Sequence, residues 1–161
     1  MGSTADRLNS PRGIFVDASY ALFIVDRGNH RVQRWLPGRF RLCIEFSLIH
    51  LFIVGAAVGT TVAGETAVAG SWSYQLNSPT TLMFDQYGFM YVLDAGNSRI
   101  QKWMPGMTYG TTVVTASMST PLGISFDLSG NIIVADTSNQ RVISFNTFCG
   151  KFCSLVRNLM F

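Results

Sequence analysis

Apolar residues in this chain come in short runs closed by aspartate: Gly13-Ile14-Phe15-Val16-Asp17, Phe23-Ile24-Val25-Asp26, Leu82-Met83-Phe84-Asp85, Tyr91-Val92-Leu93-Asp94 and Ile133-Val134-Ala135-Asp136. Runs of this length, rich in β-branched and aromatic residues, predict strands; a helix needs a longer stretch with apolar residues at every third or fourth position. Turns punctuate them. Tyr87-Gly88 and Ser129-Gly130-Asn131 supply residues that accept positive φ. A further stretch alternates: in Arg99-Ile100-Gln101-Lys102-Trp103, Arg99, Gln101 and Trp103 share one face of a strand and Ile100 and Lys102 the other.

These elements recur in a fixed frame. Leu8-Asn9-Ser10-Pro11 and Leu76-Asn77-Ser78-Pro79 open two copies, and Ser119-Thr120-Pro121 opens a third. Each copy then carries an aspartate after its first strand (Asp17, Asp85, Asp127) and another after its second (Asp26, Asp94, Asp136). An asparagine follows (Asn29, Asn97, Asn139), then an arginine that starts the third strand (Arg31, Arg99, Arg141). The spacing within a copy never changes; copies one and two are offset by 68 residues and copies two and three by 42. Gly-Thr-Thr-Val at 59–62 and at 110–113 predicts a fourth, outer strand. Four antiparallel strands in roughly 40 residues make one β-propeller blade. The expected fold is therefore all-β, a partial β-propeller of about three four-stranded antiparallel blades at 8–62, 76–115 and 119–146.

The pattern Pro-x-x-(Ile/Leu)-x-(Phe/Val)-Asp…Asp-x-x-Asn-x-Arg-(Val/Ile) closely resembles the NHL repeat, over residues 8–38 and 59–146. The resemblance implies a propeller whose loops surround a central channel. It also points to a family that includes the substrate-recognition propellers of tripartite-motif proteins and an amidating lyase. The residues repeated in every copy read as scaffold: Asp or Asn caps backbone N–H groups, and Arg pairs with a carboxylate within or between blades.

Two segments leave the frame. Residues 39–54, within blade one, are nearly all apolar. A membrane span there is disfavoured: the stretch falls short of about 20 residues, carries Glu45 and His50, and would put two blades on opposite sides of a bilayer. It reads as an insert packed on the propeller or as translated intron sequence. Residues 147–161 read in the same way as a degenerate or non-native tail. Three blades leave apolar faces and strand edges open, so further blades or another chain are expected to join them.

Composition narrows the chemistry. Charged residues are 13% and hydrophobic residues 48% of the chain, which excludes a disordered polyelectrolyte. The net charge of +3 is spread along the chain; Arg27, Arg31 and Arg34 make a modest cluster in blade one, too sparse for a nucleic-acid arm. Three cysteines (Cys43, Cys149, Cys153) form neither a disulfide framework nor a zinc site, and His30 and His50 are the two histidines. The N-terminal residues show no secretory signal, and no glycosylation acceptor occurs, which favours the cytoplasm. No nucleophile elbow or phosphate loop is present, so no catalytic residue, metal ligand or cofactor is expected. The functional expectation is a non-enzymatic binding or scaffold module that presents loops to a protein, peptide or glycan. Its ligand-facing candidates are Arg27, His30, Ser98 and Gln140, beside the Asp-x-x-Asn turns. The alternatives are an RNA-binding or ubiquitin-ligase substrate-recognition propeller, and a metal-dependent lyase- or lactonase-like enzyme.

Overall fold

Each blade begins with a hairpin set by its first aspartate. Asp17 Oδ1 accepts the N–H groups of Ser19 and Ala21, both at 2.9 Å, and folds the chain back on itself. Asp85 does the same for Tyr87 and Phe89, and Asp127 for Ser129 and Asn131. Aspartate suits this position because its short carboxylate reaches backbone donors two and four residues on. The computed structural model describes residues 2–37, 40–45, 48–53, 57–146 and 157–158.

In blade one, strands β1 (Pro11–Val16), β2 (Leu22–Asp26) and β3 (Arg31–Trp35) run antiparallel. Strands β4 (Phe40–Glu45) and β5 (Leu48–Ile53) follow as a separate two-stranded hairpin, so the apolar insert forms a sheet of its own. Strand β6 (Thr60–Gly64) then returns to pair with β3 as the outer strand. Blade two is the meander β7 (Thr81–Phe84), β8 (Met90–Asp94), β9 (Arg99–Trp103) and β10 (Gly110–Thr115). Blade three holds β11 (Pro121–Phe126), β12 (Ile132–Asp136) and β13 (Arg141–Phe145). Its fourth place is taken by β14 (Arg157–Asn158), a short strand from the tail expected to depart from the pattern. The rest of the tail, with Cys149 and Cys153, lies outside the described residues. Among the described residues no helix is long and apolar enough to cross a membrane.

The first strands of adjacent blades lie against each other, β1 on β7 and β7 on β11, which makes them the innermost. Each sheet has a leading face toward the preceding blade and a trailing face toward the next. Strand alternation fills both. Met90 and Val92 of β8 point to the leading side and join Phe23, Val25 and Val32 of blade one. Tyr91 and Leu93 point to the trailing side and join Ile132, Val134 and Ile143 of blade three. Val92 and Leu93 are fully buried, each contributing about 1.5–3 kcal/mol by removal from water. The core is thus two layers between three sheets.

The outer faces have less cover, although Ile24 of blade one is buried. Ile14 and Val16 on the leading face of blade one are 70% and 53% exposed, whereas Leu82, the counterpart of Ile14 in blade two, is 6% exposed. On the trailing face of blade three, Ser125 and Ala135 stand where blade two places the buried Met83 and Leu93.

Candidate functional site

The repeated polar residues assemble at the turns between second and third strands. Asp26 Oδ1 accepts the N–H of Asn9 at 2.7 Å, while Oδ2 accepts Asn29 Nδ2 and Arg31 Nε, both at 2.8 Å. Asp94 takes the N–H of Asn77 (2.6 Å), Asn97 Nδ2 (2.8 Å) and Arg99 Nε (2.7 Å). Asp136 takes the N–H of Ser119 (2.6 Å), Asn139 Nδ2 (2.8 Å) and Arg141 Nε (2.8 Å). All three carboxylates are fully buried. Burial without such partners would be costly, and hydrogen bonds from charged or amide donors offset it.

Each arginine then clamps the segment that enters its blade. Arg31 donates to the carbonyls of Ser3, Thr4 and Arg7, and Arg99 to those of Ser71, Trp72 and Gln75. The asparagines reach the same segments, Asn29 to the Gly2 carbonyl and Asn97 to the Gly70 carbonyl, each at 2.8 Å. Gln33 and Gln101, with their amide oxygens turned toward the guanidinium, accept from Arg31 and Arg99. Blade three is thinner. Ile143 replaces the glutamine, and Arg141 reaches the Ser117 carbonyl at 2.7 Å. The electrostatics follow. Burial pushes the Asp94 carboxyl above the usual carboxylate range, against the bonds from Asn77, Asn97 and Arg99. Burial acts on Asp136 too, but there the bonds from Asn139, Ser119 and Arg141 together win and hold it below the range.

The clamp exposes a signal that the sequence frame left out. Gly2-Ser3, six residues before Leu8-Asn9-Ser10-Pro11, matches Gly70-Ser71 before Leu76-Asn77-Ser78-Pro79. Gly59 N–H bonds to the Ala5 carbonyl as Gly110 N–H bonds to the Ser73 carbonyl, both at 2.8 Å. The likeness between the two copies therefore extends upstream of Leu8, at least to Gly2.

The four loop candidates divide. His30, Ser98 and Gln140 occupy one equivalent position, left-handed at φ 54°, 50° and 50°, closing the short 3-10 turns after the second strands. His30 Nδ1 accepts the N–H of Ser78 at 3.0 Å, and Ser98 Oγ donates to the Met118 carbonyl at 3.3 Å. Both therefore join their blade to the next. Gln140 is exposed and Arg27 half-buried.

A cleft lies at the opposite end of the sheets, between blades one and two. It encloses about 490 Å³ under the loops of Asp17-Ala18 and Asp85-Gln86 and the turn Met104-Pro105-Gly106. Three phenylalanines line it, with Phe84 4.7 Å from Phe15 and 4.8 Å from Phe23, ring centre to ring centre. Arg34 crosses one wall, its guanidinium carbon 5.9 Å from the Phe23 ring centre and its buried Nε without a hydrogen-bond acceptor among the described residues. Burial raises the Asp17 carboxyl, but its bonds from Ser19 and Ala21 and the charge of Arg34 outweigh this and hold it low. A second cleft of about 510 Å³ lies between blades two and three. Lys102, the counterpart of Arg34, is there engaged, 3.9 Å from Asp85 and 4.0 Å from the centre of the Phe89 ring. Sequence reading missed these clefts because an inward-facing Phe on a strand looks like core until the neighbouring blade is in place. Among the described residues no group of three or more His, Cys, Asp or Glu side chains is placed to hold a metal ion.

Four-stranded meanders set side by side, first strands inward and faces packed in layers, define a β-propeller fold, here of three blades. No protein-family model matches the chain. Over 65 residues, 40% of this chain and 7% of the relative, it is 38% identical to E3 ubiquitin-protein ligase TRIM71 of Gallus gallus. Virginiamycin B lyase from Staphylococcus aureus superposes with a TM-score of 0.59 at 14% identity, over 98% of this chain and 43% of the lyase. An auxiliary nutrient binding protein from Bacteroides thetaiotaomicron gives a TM-score of 0.57 at 18% identity, over 80% of this chain and 35% of its own. The chain spans less than half the length of each, and at these identities the two structural likenesses carry the fold alone.

Proposed function

We propose that this chain is a non-enzymatic recognition module of NHL type that binds a protein or peptide partner. The aromatic-walled cleft between blades one and two carries this reading. A concave, largely apolar site with few polar groups is the usual form of a binding pocket, and this one has room for an apolar side chain. Arg34 adds a donor for a main-chain carbonyl if its guanidinium turns outward. The Asp–Asn–Arg clusters support the same reading from the other side. Their hydrogen bonds are used inside the fold, which leaves recognition to residues that differ between blades, such as Arg34, Arg27 and Gln140. The partial identity to a ubiquitin ligase supports a role in substrate recognition within a larger protein.

The test is selection of peptides on the immobilised protein, followed by titration of those that bind. Ala18 is exposed at the mouth of the cleft, so Ala18→Trp should close it without touching the core. Saturable binding that Ala18→Trp abolishes and a metal chelator leaves intact is the expected result. Metal-dependent turnover of a bound compound would refute the non-enzymatic reading. RNA binding that weakens steeply with salt, with no peptide selected, would favour the nucleic-acid alternative.

A further inference from the structure

The cleft between blades one and two continues past its aromatic wall. It shares Val62, Trp103 and Gly106 with a hollow of about 250 Å³, which Thr61, Ala63 and Gly64 of β6 line further. That hollow shares Gly64 and Thr108 with another of about 480 Å³, which Glu65, Tyr74 and Tyr109 help to enclose. The three form one groove, from the phenylalanines to the two tyrosines. Four consecutive residues of β6, 61–64, line its middle. Side chains on a strand alternate between faces, so consecutive residues border one hollow only along the strand's edge. Strand β6 ends its four-stranded sheet, and its outer edge has no further strand among the described residues.

The two ends of the groove differ in chemistry. The aromatic cleft suits an apolar side chain. At the far end Glu65 is exposed, and its Oε2 accepts Gln75 Nε2 at 2.9 Å. Tyr74 and Tyr109 line the same hollow, 46% and 53% exposed. A carboxylate beside exposed aromatic rings favours a cation, since the carboxylate pairs with the charge and the ring faces attract it. The charge along the groove agrees. Asp17, Asp85 and Glu65 line it against one basic residue, Arg34. With Lys102 3.9 Å from Asp85, the balance is still acidic.

We propose, resting on the peptide-binding reading of the cleft, that the groove takes an extended basic peptide. The peptide lies along β6 as an added strand, with an apolar side chain in the aromatic cleft and a Lys or Arg against Glu65, Tyr74 and Tyr109. Val62 and Gly64, where the middle hollow meets its neighbours, are separated by about 7 Å of strand. The two anchors therefore stand roughly two to four residues apart in the peptide. Main-chain hydrogen bonds to the edge of β6 supply affinity, and the two anchors choose the sequence.

The experiment is fluorescence anisotropy of the full chain with labelled eight-residue peptides on a Ser/Thr background. Each peptide carries a Phe, with a Lys two, three or four positions away on either side, and has a twin with Glu in place of the Lys. The expected result is saturable binding of one Lys spacing, at least about tenfold tighter than its Glu twin. Glu65→Lys should reverse that preference, with the Glu peptide regaining affinity. Thr108 is exposed where the two smaller hollows meet, and Thr108→Trp should weaken the Lys peptide at least about tenfold. Circular dichroism checks that each variant keeps its β-sheet spectrum. Binding that Ala18→Trp abolishes, but that is indifferent to the peptide's charge, to Glu65→Lys and to Thr108→Trp, would overturn the groove and leave the cleft reading standing. A loss in Glu65→Lys that the Glu peptide does not recover would overturn the pairing of charges. Absence of any binding sensitive to Ala18→Trp would overturn both.

Discussion

Replacing Arg99 by Met tests whether the repeated clusters hold the propeller together. Arg99 is 10% exposed and its partner Asp94 is fully buried. Its guanidinium donates to Asp94 Oδ2 at 2.7 Å and to the carbonyls of Ser71, Trp72 and Gln75 at 2.7–3.1 Å. Methionine keeps most of the aliphatic volume and removes every donor. Breaking one side of a buried ion pair costs about 3–5 kcal/mol, because the remaining charge stays desolvated. Asp94 would keep the Asn77 and Asn97 bonds, and burial already pushes its carboxyl upward, so part of the loss is relieved by protonation. A loss of about 3 kcal/mol is therefore expected, a large fraction of the 5–15 kcal/mol typical of a domain. Arg141→Met is the matched control. Arg141 is 31% exposed, lacks the glutamine partner and makes two hydrogen bonds, so about 1 kcal/mol is expected. Urea unfolding followed by tryptophan fluorescence and far-ultraviolet circular dichroism gives both values. Chymotrypsin supplies a local reading: Trp72 and Tyr74 are 68% and 46% exposed on the segment that Arg99 clamps, and cleavage there should accelerate in Arg99→Met. Equal losses in the two variants, or a larger loss in Arg141→Met, would show that the clusters are not the ties described.

Two further expectations follow from backbone and charge. Gly64 (φ +84°) has the His30 carbonyl where a Cβ would stand, whereas Gly88 (φ +80°) faces open space. Gly88→Ala should cost about 1 kcal/mol for conformation alone, and Gly64→Ala about 2–3 kcal/mol because β3 and β6 must part; equal midpoints in urea would contradict this. Asp127 is held below its ordinary value of 3.8, first by the Asn131 side chain and then by backbone N–H groups. Its contribution is therefore present above that value and is lost as pH falls through the lower native one. Asp127→Asn keeps an acceptor for those N–H groups and should flatten the fall in stability below about pH 4. Asp94 works the other way. Its raised native value means that its share of stability declines as pH rises from 3.8 through that value, and an unchanged acid limb in Asp127→Asn would count against the assignment.

Much of the blade was legible because it is local. Asp17, Asp85 and Asp127 bond to N–H groups two and four residues away, and the clusters of Asp26, Asp94 and Asp136 are completed by side chains three and five residues on. Such contacts are short-range, so the turns, the strand alternation and a carboxylate partner for each Arg could be read from the chain, though not whether that partner lies in the same blade. The tail strand β14 and the clamped segment upstream of Leu8 were not legible, since neither carries the frame's anchors.

The sequence by itself determined which residues lie on which face of each strand, since side chains on a strand alternate with period two. What covers each face was decided by tertiary structure. Pairing of β1 with β2 puts Phe15 and Phe23 on one face of their sheet. Where blade two meets blade one decides that these rings, with Phe84, pack against the core layer and also wall a cleft. The chain shows that Arg99 has a carboxylate partner, within its blade or in another; the structure makes it Asp94. That its other donors hold carbonyls 24–28 residues away depends on how the incoming segment lies across the sheet. Burial and long-range hydrogen bonds depend on the neighbour, and no spacing along the chain specifies a neighbour 24 or more residues distant.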